Sequence, residues 1–361
     1  MSTSSALETR AGTKRRRLTQ VILVVLLIGP AWLAFTLCVP YAGFPRKGLF
    51  VEVPRGASAY AVARLLAEKG VVRSRRAFET LCRWRSPRTF QAGQYFFDQP
   101  ANAFEVYRAI AEGRVYQTQV ILPEGLTMFD IADLLAQQGL VSRHAFLRAA
   151  RDAAPIRDLA PGARSLEGFL FPGKYAFSRH TTPQEIVEAM VQRFRETWRE
   201  LPGVKSDELS AQAVVTLASL VVRETAVPEE RSLVAAVFTN RLRRGLALQC
   251  DPTVIYALER AKKYSGSLTL SDLRFDSPYN TYLHTGLPPA PIANPGEAAL
   301  RAALNPSRVD YLYFVANGQG GHHFSRTFQE HNRNVARYRR LLAQNTDADT
   351  LGRKPSAKRS P

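Results

Sequence analysis

Cysteine is scarce in this sequence, and its scarcity excludes a class of exported folds. Among 361 residues there are three cysteines, at Cys38, Cys82 and Cys250. Disulfide-stapled folds need several cysteine pairs, and zinc sites need cysteine or histidine ligands at short, regular spacing. The sequence therefore predicts neither a disulfide scaffold nor a zinc site, and leaves open whether Cys82 and Cys250 pair.

Acidic residues are also few relative to basic ones. The chain has 31 Asp and Glu against 49 Lys and Arg, a formal net charge of +18, so we expect an anionic surface or polymer as a partner. Part of the excess lies in the Arg-rich run 72–88. A solvated helix face explains that run as well as an anionic contact does, and we do not expect nucleic acid as a partner.

Residues 18–40 contain no charged side chain at all. Their length and their content of Val, Leu and Ile predict one transmembrane helix. Basic residues 14–17 precede it, so the positive-inside rule places residues 1–17 in the cytoplasm and the rest of the chain outside. A cleaved signal peptide is the alternative, but the apolar stretch is long for that role and no clear cleavage site follows.

An internal repeat follows the predicted span. Residues 53–72 recur as residues 122–141, at a spacing of 69 residues. Each copy predicts a strand, a turn with proline and glycine, and a short amphipathic helix that ends at glycine. Such units resemble LysM-type carbohydrate-binding modules, which we place at 46–118 and 119–165. A purely structural role as spacers is equally compatible with the pattern.

The later chain changes character. Apolar periodicity predicts helices over 185–198 and 206–225. Beyond Asp251 the sequence is rich in Pro, Gly, Asn and Tyr, which predicts long ordered loops over a helical base. Residues 343–361 are polar and basic without periodicity, so we predict a disordered tail.

Glu224 is the strongest candidate for chemistry. It continues one apolar stripe of a predicted helix, so its carboxyl group is expected to lose hydration and to gain a raised pKa. A general acid acting near neutral pH needs such a pKa. The alternative is an exposed glutamate paired with Arg223 or Arg241. The stripe consists of Val214, Leu217, Ala218 and Val221.

An ordered series of motifs decides between these alternatives. In this order, the series closely resembles the YceG-like, or MltG, family of endolytic murein transglycosylases. The resemblance covers nearly the whole chain, because the repeat and the N-terminal span match as well. The motifs are Leu166–Tyr175, Ala218–Thr225, Val237–Leu242, Leu248–Tyr256, Tyr279–Tyr282, Gly286–Pro289, Tyr311–Ala316, Gly320–Phe324 and His331–Asn332.

The resemblance implies that Glu224 is the catalytic acid/base. Family members commonly have a Glu-Lys-Glu-like triplet, whereas this chain has Val222-Arg223-Glu224 and lacks the first acid. The implied reaction cleaves the bond between N-acetylmuramic acid and N-acetylglucosamine without water. Glu224 protonates the leaving oxygen and later accepts the proton of the sugar's own 6-hydroxyl, which leaves a 1,6-anhydro end. One carboxyl group is enough, unlike in ordinary glycosidases.

The remaining motif residues suit a sugar site, with aromatic faces for pyranose rings and amides for acetamido groups. Core packing explains the aromatic residues equally well, and Asp251 is also a candidate helix cap. Glu167 is the rival acid. His322, His323 and His331 lack an acidic ligand, so we predict no metal and no cofactor. The substrate-binding candidates are Asn240, Arg241, Gln249, Asp251, Tyr279, Asn280, Tyr282, Glu167 and His322.

These observations predict an α+β protein: a transmembrane helix, LysM-like strand-helix modules, and a mixed α/β catalytic domain of the YceG-like type over 166–342. We expect a single-pass inner-membrane enzyme that acts outside the cytoplasm on peptidoglycan strands, with peptidoglycan synthases as candidate partners. A non-catalytic glycan-binding scaffold and a hydrolytic muramidase are the alternatives.

Overall fold

The computed structural model describes residues 28–85, 90–203 and 210–352, with side chains as far as residue 344. The chain divides into two compact units. The first comprises the residues before Gln119 together with Ala176–His180, and the second comprises Gln119–Tyr175 and the chain from Thr181 onward.

The first described element is helical residues 28–38, α1. Of the predicted transmembrane span, residues 18–27 lie outside the described residues. Where the structure describes the chain, no helix combines the length and the apolar composition needed to cross a bilayer. Leu37, near the end of α1, packs into the hydrophobic core of the first unit.

The first unit is built on a two-stranded antiparallel sheet with helices packed on it. Strands β1 (Leu49–Val53) and β2 (Gly93–Phe97) pair so that Leu49 faces Phe97. Helices α2 (Ala59–Glu68), α3 (Arg75–Trp84) and α4 (Ala103–Ala111) complete the unit. Alternate strand residues point into one apolar core. That core includes Val51, Val53, Val62, Leu66, Phe78, Leu81, Tyr95 and Ile110.

The second unit begins with the same order of elements, so the repeat extends further than the sequence predicts. Strand starts at residues 49 and 118 and helix starts at 59 and 128 are both 69 residues apart, whereas the next strand starts at 93 and 173, 80 apart. The second copy therefore has 11 more residues between its second helix and its second strand. Its elements are β3 (Thr118–Leu122), α5 (Met128–Gln137), α6 (Arg143–Ala150), β4 (Gly173–Phe177) and α7 (Pro183–Glu200).

Small details recur in both copies. Tyr95 donates its hydroxyl hydrogen to the Gln91 carbonyl at 2.7 Å, and Tyr175 donates to the Phe171 carbonyl at 2.6 Å. The last helix of each copy starts with a capping box, which satisfies the free N–H groups of its first turn. The matching tyrosine bonds and caps show that each copy is one β-α-α-β-α unit.

The rest of the second unit is mostly helical. Helix α8 packs against three others, and its central residues from Val214 to Val221 are all buried. Residues 261–296 contain a single short 3-10 helix, Asp272–Arg274, in agreement with the predicted loops. The elements are α8 (Ala211–Glu224), α9 (Arg231–Arg243), α10 (Asp251–Arg260), α11 (Glu297–Leu304), the antiparallel strands β5 (Tyr313–Ala316) and β6 (His322–Ser325), and α12 (Phe328–Gly352).

Two sequence predictions need adjustment. Helix α8 begins at Ala211, and the predicted start at 206 lies outside the described residues. The predicted disordered tail from residue 343 begins inside α12, which continues to Gly352. The fold is α+β, as predicted, because small sheets and long helices alternate without forming one parallel sheet.

Candidate active site

Helix α8 carries Glu224 as its last residue. The helix begins where the Ser210 hydroxyl accepts a hydrogen bond from Ala213 N, and the all-apolar run in its centre buries it against its neighbours. Since α8 ends at Glu224 and Thr225 is already extended, the carboxyl group leaves the packed helix at its edge. The predicted stripe and the partly buried position of Glu224 both follow from this packing.

The surroundings of Glu224 make it a weak acid. Loss of hydration raises its pKa to about 7, and the negative charge of Asp251 raises it further. The Cys250 thiol donates a hydrogen bond to the carboxyl group, and this bond and the Arg223 charge act in the opposite direction. A carboxyl group that is half protonated near pH 7 can both give and take a proton there.

Residues Gln249 to Asp251 form a constrained turn that brings two side chains to Glu224. Gln249 has a φ of 52°, in a region that costs energy for any residue with a side chain. Two hydrogen bonds hold the turn to Thr281: Gln249 N donates to its carbonyl at 3.1 Å and Cys250 N to its hydroxyl at 3.0 Å. Cys250 is 1% exposed and, like Cys82, is a free thiol.

Asp251 and Tyr282 form a pair on the same side of the turn. The Tyr282 hydroxyl donates to Asp251 Oδ1 at 2.5 Å. Asp251 is exposed and lies in the first turn of α10, where the positive end of the helix dipole favours its negative charge. The helix-cap expectation for Asp251 is close, but Cys250 occupies the N-cap position itself.

Arg241 is held by the protein rather than by Glu224. Its guanidinium donates to the carbonyls of Ala247 at 2.9 Å and Leu312 at 3.1 Å, and to Gln249 Oε1 at 2.5 Å. It also lies over the Tyr313 ring, 5.4 Å from its centre. Arg241 thus fixes the strained Gln249 and leaves Glu224 to its thiol partner.

Two predicted amide ligands are used inside the fold. Asn280 is 0% exposed, and its amide donates to the carbonyls of Leu273 and Phe275 at 3.0 and 2.8 Å. The Asn240 amide donates to the carbonyls of Val309 and Tyr311. Both side chains shape the loops around Glu224, and their amide hydrogens are already engaged.

Glu167 lies in a separate buried network. Its carboxyl group accepts hydrogen bonds from Met128 N at 2.9 Å, Asn294 Nδ2 at 3.0 Å and the Tyr256 hydroxyl at 3.2 Å. Burial raises its pKa to about 8. Tyr279 belongs to the same region, because its ring packs on Tyr256 with centres 5.1 Å apart. The rival acid and one predicted tyrosine are therefore grouped together.

His322 pairs with Glu230, a residue that the sequence analysis missed. Its ring Nδ1 lies 2.6 Å from Glu230 Oε2, and its backbone N donates to Glu230 Oε1 at 2.7 Å. Glu230 also accepts from the Thr225 hydroxyl at 3.4 Å, next to Glu224 in sequence. This pair ties β6 to the residues that follow α8.

The structure thus sorts the predicted residues into groups. Glu224 is joined through the turn to Gln249, Asp251 and, by way of that turn, to Arg241 and Tyr282. Cys250 and Glu230 were missed because a thiol donor and a carboxylate partner have no distinctive spacing. Cys250 nevertheless precedes Asp251 in the motif itself, which was the available signal. A carboxyl group tuned in this way defines an acid/base site.

Comparison with known proteins identifies the family. The YceG-like family matches residues 51–337. An endolytic murein transglycosylase of Bacillus subtilis (strain 168) is 32% identical over 333 residues, 87% of this chain and 91% of that protein. One of Streptococcus pneumoniae serotype 2 (strain D39) is 28% identical over 81% of this chain, which spans 59% of that protein.

A solved structure agrees with these sequence relatives. The crystal structure of a yceG-like protein from Listeria monocytogenes aligns with a TM-score of 0.52 at 30% sequence identity, and the alignment covers 80% of this chain and 99% of that chain. The protein belongs to the YceG-like family. This confirms the family that the motif series predicts.

Proposed function

We propose that the protein is an endolytic murein transglycosylase with Glu224 as its acid/base. The observation that carries the proposal is the Glu224 carboxyl group, whose pKa is raised to about 7 at the end of α8. Relatives that align with most of this chain have that activity in their names. The substrate is a peptidoglycan glycan strand.

The proposed reaction has two proton transfers. Protonated Glu224 donates to the glycosidic oxygen between N-acetylmuramic acid and N-acetylglucosamine, and the bond from that oxygen to C1 breaks. The resulting carboxylate then takes the proton of the 6-hydroxyl of the same muramic acid, whose oxygen bonds to C1. The product is a 1,6-anhydro end, and Glu224 is protonated again, so the atoms and protons balance without water.

A hydrolytic muramidase is the second candidate, and Asp251 favours it. Ordinary glycosidases use two carboxyl groups, and Asp251 lies close enough to Glu224 to raise its pKa. If Asp251 activates a water molecule, the product has a reducing end. In the transglycosylase, Asp251 and its Tyr282 partner instead position the substrate and set the charge around Glu224.

We further propose that the enzyme is anchored in the inner membrane. Residues 18–40 serve as a single span, residues 1–17 lie in the cytoplasm, and both compact units lie outside. The support is the uncharged run and the basic residues before it. An anchored site would act on nascent strands near the membrane, beside the synthases that make them, and the LysM-like repeats would hold the glycan.

Product analysis tests the reaction. The full chain, in detergent, is incubated with uncrosslinked glycan strands, and the released fragments are identified by mass spectrometry. We expect anhydro ends from the wild type and none from Glu224→Gln. Glu229→Gln, which removes an exposed carboxyl group five residues away, is the matched control and should retain activity.

Each other outcome selects an alternative. Reducing ends that also disappear in Glu224→Gln would assign the protein as a muramidase. Binding of strands without cleavage by the wild type would favour a glycan-binding scaffold. Anhydro ends that persist in Glu224→Gln would overturn the assignment of Glu224.

A further inference from the structure

A cavity of about 620 Å³ lies in the second unit, apart from Glu224. Its size is in the range of sites for small ligands. One wall is polar and basic, with Arg151, Arg164 and Arg260, and the other contains Tyr279 and the proline-rich segment Pro289–Pro291. The acid/base chemistry proposed above uses none of these residues.

The cations of this cavity lack acidic partners. Among the described residues, Arg151, Arg164 and Arg260 form no ion pair with a carboxylate within 4.0 Å. Arg260 is held over the rings of Tyr256 and Tyr279, 5.6 Å from each centre. Arg151 and Arg164 are exposed. Unpaired guanidinium groups around a cavity favour an anionic ligand, above all a planar carboxylate that accepts two hydrogen bonds.

Glu167 does not oppose such a ligand. It is the acidic residue in the wall, and it is 2% exposed. Burial raises its pKa to about 8, so at neutral pH it is mostly a neutral acid. Its oxygens are already engaged with Met128 N, Asn294 and Tyr256. The net charge that the cavity offers is therefore positive.

The cavity and Glu224 lie at opposite ends of the same helices. Gln212, at the start of α8, lines the cavity, and the twelve residues from it to Glu224 span about 18 Å. Arg260 ends α10, whose first residue is Asp251. The segment from Tyr279, in the cavity wall, to Tyr282, bonded to Asp251, spans at most about 11 Å.

These distances match the substrate. The peptide stem of peptidoglycan leaves the lactyl group of muramic acid, carries free carboxylates, and reaches about 17 Å when five residues are extended. We propose that this basic cavity is a subsite for the carboxylates of the peptide stem, while the muramic acid from which the stem extends lies at Glu224. The inference rests on the proposed function, because it takes its ligand from the proposed substrate.

Binding to an inactive chain tests the subsite without turnover. Full-length Glu224→Gln protein is titrated calorimetrically with the free acidic stem pentapeptide and with the same peptide amidated at every carboxyl group. We expect the acidic peptide to bind, and the double change Arg151→Gln and Arg164→Gln to weaken binding about tenfold or more through loss of charge-assisted hydrogen bonds. Arg199→Gln, which removes an exposed arginine on α7, is the matched control.

Several results would overturn the subsite: no binding of the acidic peptide, equal binding of the amidated peptide, or equal binding by the double variant. Tighter binding of inorganic pyrophosphate than of the peptide would assign the cavity to a phosphate headgroup instead.

Kinetics separates the subsite from the reaction itself. In the active chain, the double variant should raise KM for stem-bearing strands and leave kcat unchanged. Cleavage of strands stripped of their stems should be the same in both proteins. If the wild type cleaves neither kind of strand, the proposed function fails, whereas equal KM values with normal cleavage would contradict the subsite alone.

Discussion

Glu224 shows how one buried carboxyl group is balanced by its neighbours. Loss of hydration and Asp251 raise its pKa, while the Cys250 thiol and Arg223 lower it. The result, about 7, leaves both protonation states accessible at neutral pH. An exposed glutamate would be almost wholly ionised there and would be a poor acid.

The pH dependence of cleavage should report this pKa. Because the first step needs protonated Glu224, we expect kcat/KM to be level below about pH 7 and to fall about tenfold per pH unit above it. Asp251→Asn removes a neighbouring negative charge and should shift this limb to lower pH. Initial rates between pH 5 and 9 give the profile. A limb near pH 4.5, or one unmoved by Asp251→Asn, would contradict this account.

Cys250 is expected to position and tune Glu224 without reacting itself. Cys250→Ala removes the thiol that donates to the carboxyl group, so the falling limb of the pH profile should move to higher pH. Cys250→Ser retains a donor and should keep the limb near or below its wild-type position. Cys82→Ala removes the buried thiol of the first unit and serves as the control. A purely structural role would lower stability without moving the limb.

At the scale of elements, an insertion distinguishes the two repeats. The 11 additional residues of the second copy fall between α6 and β4, and Glu167 and Gly168 lie in that interval. Gly168 has a φ of +90°, and an added Cβ would lie 2.5 Å from Pro291. Only glycine fits this position, since both the backbone and the space exclude a side chain. The insertion thus forms a wall of the basic cavity.

Asn294 fixes this insertion to the rest of the second unit. Its Oδ1 accepts from Gly168 N and Leu170 N, both at 2.9 Å, and its Nδ2 donates to the Leu126 carbonyl and to Glu167. Asn294→Ala leaves these buried groups unpaired, so we expect the free energy of unfolding to fall by about 3–5 kcal/mol. Urea denaturation measures this change.

The matched control for Asn294 is Asn305→Ala. The Asn305 amide donates at an exposed site, to the Pro202 carbonyl at 3.3 Å, and its loss should cost less than about 0.5 kcal/mol. Similar losses for both variants would show that the network around Glu167 contributes little to stability.

At the scale of the whole molecule, charge is the main feature. A net charge of +18 attracts acidic glycan strands, and salt screens that attraction. We expect binding of uncleaved strands by the Glu224→Gln chain to weaken about tenfold or more between roughly 50 and 500 mM salt. Pull-down with stem-bearing strands measures this, and strands stripped of their acidic stems should show a smaller dependence. Salt-independent binding would argue against an electrostatic contribution.

The sequence by itself determined the family, the α+β class, the strand-helix repeat and the importance of Glu224. These features depend on local periodicity and on motif order, which a linear chain displays directly. Helix α8 could be predicted for the same reason, since its apolar stripe is continuous.

Only the tertiary structure decided how the side chains are used. Asn280 and Asn240 bond loop carbonyls, Arg241 holds Gln249, and Cys250 donates to Glu224. These partners are separated in sequence, and a hydrogen bond depends on distances that no local pattern encodes. The basic cavity is a product of the same long-range packing, because the insertion, α8 and α10 meet there only once the chain is folded.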